Sequence, residues 1–151
     1  MRRYAATGRQ TDVTTGQKTA LELVGVTTTR ARIFAITFGN SATPNDNAGV
    51  FQVRRHTAAG SGGNAVVPPL LDPADPAALI TAAEDRTAEP TYGAAEPLYD
   101  LPLNQRATFH WVAAMEDAEY VMAASATAGI GISGQNGGSV GPLHVTAHWQ
   151  E

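Results

Sequence analysis

Short runs in which apolar and polar residues alternate recur along the whole chain, separated by Gly, Pro, Asn, Asp and Ser. The clearest are Arg32–Phe38, Thr108–Ala113 and Leu143–Trp149. Successive side chains of a strand point to opposite faces. Period-two runs bounded by turn residues therefore predict β-strands, and many in series predict a sandwich or barrel. Strands are expected at Lys18–Val26, Ala31–Phe38, Val50–Thr57, Ala107–Ala114, Glu119–Ser125, Gly129–Ser133 and Pro142–Gln150, with a weaker one at Arg3–Thr7. Leu21 and Leu23 share a face of the first of these. Phe51, Val53 and Arg55 share a face of the third, and Leu143, Val145, Ala147 and Trp149 share the inward face of the last. Strict alternation puts Ile33 on one side of Ala31–Phe38 and Phe34, Ile36 and Phe38 on the other. A strand apolar on both sides is central and covered on both faces, or lies at a subunit contact.

The stretches between are less regular. Gly39–Gly49, Ala58–Asn64, Thr87–Glu96 and Gly134–Gly141 read as loops, and Leu98–Leu103 as an extended segment. Ala65–Leu71 contains Pro68-Pro69 and so reads as an edge strand or extended segment, because proline cannot donate to a ladder. Asp75-Pro76 fits an N-cap and first-turn pair, which predicts a short helical turn before a strand within Ala78–Glu84. Residues 1–17 are polar, with turn residues Gly8, Asp12 and Gly16, and are expected to form an N-terminal arm. The predicted architecture is thus an arm over 1–17 and an all-β, jelly-roll-like antiparallel β-sandwich of roughly eight to ten strands over 18–151. The chain shows no internal repeat, and its connections vary in length, which argues against a propeller or solenoid.

Composition narrows the function. A chain of 151 residues is one domain by expectation. Charged residues are only 16%, below the ~25% usual for soluble domains, and a surface rich in Ala, Thr, Gly and Ser suits either contact with other protein or a GC-rich genome that favours Ala and Gly. The net charge of -4 offers no basic stripe for phosphates, so no nucleic-acid partner is expected. The absence of cysteine excludes disulfides, thiolate metal sites and a cysteine nucleophile. No run of ~18 apolar residues predicts a membrane span. The N-terminus lacks the apolar stretch of a secretory signal.

Candidate chemistry is sparse. His144 and His148 share a face of one strand but lie ~13 Å apart, too far for one metal ion to bridge. His110 could join them only from a neighbouring strand, and all three histidines are expected on an outer face. Asn45-Asp46-Asn47 lacks the alternating spacing of a calcium loop. No Gly-x-Ser-x-Gly occurs. Gly129-Ile130-Gly131-Ile132-Ser133-Gly134 mimics a nucleotide loop but has no following helix to hold phosphate, and strand ends and turns explain it better. Trp111 and Trp149 sit at core positions, while Tyr92, Tyr99 and Tyr120 could stack on a sugar. No catalytic, cofactor-binding or metal-binding residue is assigned.

Several stretches go further than pattern. Leu71-Asp72-Pro73-Ala74-Asp75-Pro76-Ala77-Ala78, Glu89-Pro90-Thr91-Tyr92, Pro102–Ala114 and Val145–Glu151 resemble a family of small structural proteins encoded by tailed bacteriophages. The resemblance spans most of residues 25–151. It implies a non-enzymatic virion component: a capsid decoration (cement) protein, built as a jelly roll and assembled as a homotrimer. Such a protein is made in the bacterial host cytoplasm and binds the major capsid protein on the outer capsid surface. On this reading Arg2, Arg3 and Tyr4 of the arm contact the capsid, and Phe34, Ile36, Phe38, Phe109 and Trp111 supply the trimer interface. The alternative is a carbohydrate- or receptor-binding module of a phage tail or head fibre, because jelly rolls also serve as lectins. A cupin-like metal enzyme is a third reading and requires clustered His and carboxylate ligands.

Overall fold

The computed structural model describes residues 1–11, 16–136 and 141–151. Among these, twelve strands form and no helix does: β1 (Arg3–Gln10), β2 (Lys18–Val24), β3 (Arg32–Asn40), β4 (Ala48–Ala58), β5 (Asn64–Val66), β6 (Thr81–Glu84), β7 (Thr91–Tyr92), β8 (Tyr99–Asn104), β9 (Phe109–Val112), β10 (Tyr120–Val121), β11 (Gly129–Asn136) and β12 (Leu143–Gln150). They pair antiparallel in two sheets. The five-stranded sheet runs β1-β12-β3, with β9 and β10 sharing the far edge of β3. The seven-stranded sheet runs β5-β6-β2-β11-β4, with β7 and β8 sharing the far edge of β4. Without the short strands β5, β6, β7 and β10, the order is β1-β12-β3-β9 facing β2-β11-β4-β8, which is the order of a jelly roll. The all-β sandwich expected from the alternation is therefore the fold.

Between the sheets lie Leu21, Leu23, Ile33, Ile36, Phe38, Phe51, Val53, Ile130, Ile132, Leu143, Val145 and Trp149, each at most 1% exposed. The inward sets expected on β2 and β12 are correct. On β4, Phe51 and Val53 are buried but Arg55 is exposed, its guanidinium donating to the Val121 carbonyl at 2.6 Å. Phe109 and Trp111 also face inward and close the mouth of the sandwich. Phe109 stacks on Tyr99 with ring centres 6.3 Å apart, and Trp111 on Tyr120 at 4.3 Å.

Strict alternation fails at β3, for an identifiable reason. His148 pairs with Ala35 but Trp149 pairs with Ile33, so β3 carries one extra residue, Phe34. This bulge resets the phase of the strand. Ile33, Ile36 and Phe38 all turn inward and are fully buried, whereas Phe34 turns out. Ile36 and Phe38 are therefore core residues and cannot form a subunit contact. Phe109 and Trp111 are half-buried, packed against the core.

The N-terminal segment is not a free arm. All eight residues of β1 pair with β12, from Arg3 opposite Gln150 to Gln10 opposite Leu143. The outer edge of β1 is covered in turn: Ala5 N–H donates to Pro69 O at 3.2 Å and Leu71 N–H to Arg3 O at 3.1 Å. Tyr4 is fully buried, its ring 5.9 Å from that of Trp149 and its hydroxyl donating to Pro76 O at 3.0 Å. It cannot touch a capsid. Of the three residues assigned to such a contact, only Arg2 and Arg3 are exposed. The rest of the expected arm falls partly on residues 12–15, outside the described residues, as do residues 137–140 of the expected Gly134–Gly141 loop. The helical turn at Asp75-Pro76 is also absent. Asp72 instead accepts the Ala74 N–H at 2.9 Å, because a short Asp side chain competes for the backbone where no long helix follows.

Candidate functional site

The outer face of each sheet holds an arrangement of chemistry-bearing side chains. The two differ in kind.

On the seven-stranded sheet, β11 contributes Gly129, Gly131 and Ser133 to the outer face, since Ile130 and Ile132 point into the core. The two glycines leave a trough. A Cβ at Gly131 would meet the Tyr92 ring and hydroxyl, and one at Gly129 would meet the His56 imidazole and the Leu23 carbonyl. The alternating glycines thus belong to a central strand of eight residues, longer than the short strand expected, and they make room for side chains lying across it.

Those side chains form a buried polar layer. Glu22, fully buried between Leu21 and Leu23, accepts from Arg86 at 2.6 and 2.5 Å and from the Gly60 N–H at 2.9 Å. His56, 2% exposed, has Nε2 3.5 Å from Glu22 and 3.3 Å from the Leu23 carbonyl, so its proton belongs on that nitrogen. Burial pulls the His56 pKa down, with the Glu22 charge pulling the other way. Glu89 accepts from the Thr19 N–H at 3.0 Å and from its hydroxyl at 2.5 Å, and Tyr92 meets the same hydroxyl at 2.5 Å. Arg54 lies over the Tyr92 ring at 4.8 Å. Burial raises the Tyr92 phenol well above its usual range. Together these contacts pin the 86–93 segment across the sheet.

This cluster went unread in the sequence, apart from Tyr92. The available signal was Glu22 inside Leu21-Glu22-Leu23, combined with glycines two apart in β11. Only the pairing of β2, β11 and β4 brings Glu22, Gly129 and His56 side by side.

The outer face of the five-stranded sheet is open. It carries His110, His144 and His148, as the alternation predicts. His110 Nδ1 is 2.8 Å from the Thr37 hydroxyl and His144 Nε2 is 2.9 Å from that of Ser41. His148 lies 6.1 Å from the Phe34 ring, and burial together with His110 lowers its pKa. Among the described residues no three His, Asp or Glu converge as a metal site.

At one end of this face the bulged Phe34 borders a groove of about 380 Å³ with Val112, Met115, Met1, Arg3 and Glu116. Val112 is 53%, Met115 70% and Met1 86% exposed. Arg3 sits over the Phe34 ring at 5.9 Å. The sugar-stacking set fares differently. Tyr92 belongs to the polar layer, while Tyr99 is stacked on Phe109 and Tyr120 on Trp111. Burial beside Trp111 raises the Tyr120 pKa to about 12.

Comparison of the chain with family models, with curated proteins and with solved structures finds no match, so the geometry and the residues themselves carry the functional reading.

Proposed function

We propose that the chain is a non-enzymatic structural protein of a tailed-phage virion, a decoration protein that sits on the outer capsid surface as a homotrimer and stabilises the shell. The observation that carries this reading is the exposed apolar groove on the outer face of the five-stranded sheet. A protein that works alone gains nothing from leaving Val112, Met115 and Met1 in water, whereas one that works by assembly buries them against a neighbour. Three further points support it. The resemblance to phage structural proteins covers most of the chain, and the jelly-roll strand order is one that capsid proteins use. The buried acid and base, Glu22 and His56, lie beneath the 86–93 segment, bonded to each other's neighbours and out of reach of a substrate.

Light scattering on the purified chain tests the assembly state. The subunit is 15.7 kDa, so a trimer of about 47 kDa is expected. Co-sedimentation with emptied heads assembled from the major capsid protein of the same genome tests the partner. A 15.7 kDa species at all concentrations, or heads that pellet without the chain, would overturn the reading.

A further inference from the structure

The described chain has six large hydrophobic residues that are markedly exposed, and three of them, Met1, Val112 and Met115, converge on the groove beside Phe34. The groove also carries both signs of charge: Arg3, Glu116 and Glu119 line it, Glu119 is paired with Arg32 at 3.3 Å, and neither Arg3 nor Glu116 forms an ion pair with any described residue. Phe34 is placed there by a bulge, a feature that re-aims one side chain at the expense of ladder pairing. Met115 stands on the tight turn after β9, where the Ala118 N–H donates to the Met115 carbonyl at 3.1 Å and Asp117 takes φ 77°.

We propose that this groove is the docking surface for a second copy of the chain, with the Met115 turn of one subunit seated against Phe34 and Val112 of the next. The inference rests on the assembly reading above and adds the face and the contacts. Charge decides the occupant. An apolar strip that carries one such cation and one such anion complements itself in a closed ring, where Arg3 of each subunit meets Glu116 of its neighbour. A partner of uniform charge would attract one of the two and repel the other. Methionine suits the contact, because its unbranched side chain adapts to the surface it meets.

The test uses the full chain and five variants: Val112→Glu, Met115→Glu, Arg3→Glu, Glu116→Arg, and the double exchange of the last two. Molar mass is followed by light scattering across a dilution series, with circular dichroism and thermal melting to verify folding. Val112→Glu and Met115→Glu are expected to be folded monomers. Each single charge exchange weakens association by roughly tenfold, and the double exchange recovers it. A native chain that stays monomeric overturns both this proposal and the trimer reading. An oligomer indifferent to all five variants overturns this face and leaves the trimer reading standing. Weak single variants that the double exchange does not rescue overturn the pairing of Arg3 with Glu116.

Discussion

The outer faces of the two sheets solve the same problem in opposite ways. Each sheet of a sandwich has one face buried against the other sheet and one left over. On the seven-stranded sheet the chain covers its own outer face. The 86–93 segment lies across the glycine trough, and the polar groups beneath it bond one another. On the five-stranded sheet no described segment returns to do this, and Phe34, Val112 and Met115 stay at the surface. The difference teaches which residues maintain the fold and which are free for a partner. A buried charge network tolerates little change, since removing one member strands the others away from water. An exposed apolar groove can change greatly with no cost to the isolated subunit.

Substitutions sharpen this contrast, beginning with the most damaging. Glu22→Ala leaves Nε and Nη2 of Arg86 and the Gly60 N–H without their acceptor and removes the charge beside His56. It is expected to destabilise by about 3–5 kcal/mol, read from the urea midpoint. Ile36→Ala opens a cavity between the sheets and costs about 2–5 kcal/mol, whereas Phe34→Ala, two positions earlier, costs under about 1 kcal/mol in the monomer. Equal effects at the two sites would show that the bulge does not set the strand's phase. Gly131→Ala drives a methyl group into the Tyr92 ring and is expected to cost about 1–3 kcal/mol, with higher protease sensitivity near residues 86–93.

Acid gives a subtler test of the closed face. His56 is held neutral, with its folded pKa below the ordinary 6.5. Between those two values the unfolded chain binds a proton that the folded chain does not. Stability is therefore full above about pH 6.5 and declines as the pH falls through that window. His148 on the open face shifts in the same direction and adds to the trend. Thermal melts of the native chain and of His148→Gln between pH 7.5 and 5 separate the two, and a slope that survives His148→Gln is assigned to His56. The smallest effect belongs to the open groove, where Met115→Ser should move monomer stability by less than about 0.5 kcal/mol.

Much of the molecule was legible in the chain. The inward residues of β12, Leu143, Val145, Ala147 and Trp149, follow from strict alternation over eight residues. The extent of β3 and β4 followed within a few residues. The expected strand Glu119–Ser125 shrinks to Tyr120–Val121, because β9 already occupies most of the edge of β3. Of the residues assigned to subunit contact, Phe34 lies on the open face, next to Val112 and Met115 of the Phe109–Met115 stretch that the strand pattern offered for the same contact.

The sequence by itself determined the strands, their turns and most of their inward faces. It could do so because the pleat imposes a two-residue period that each strand obeys locally. Tertiary structure alone decided three things. It bound the N-terminal segment as a strand against the C-terminal one, almost the full length of the chain away. It turned Phe34 out and Ile36 in, because a bulge is defined by the partner strand's count of residues as well as the strand's own. It gathered Glu22, His56, Arg86 and Tyr92 over two glycines. Each of these depends on which strands lie side by side. That choice is set by burial and hydrogen bonding summed over the whole sandwich, which no local stretch of sequence contains.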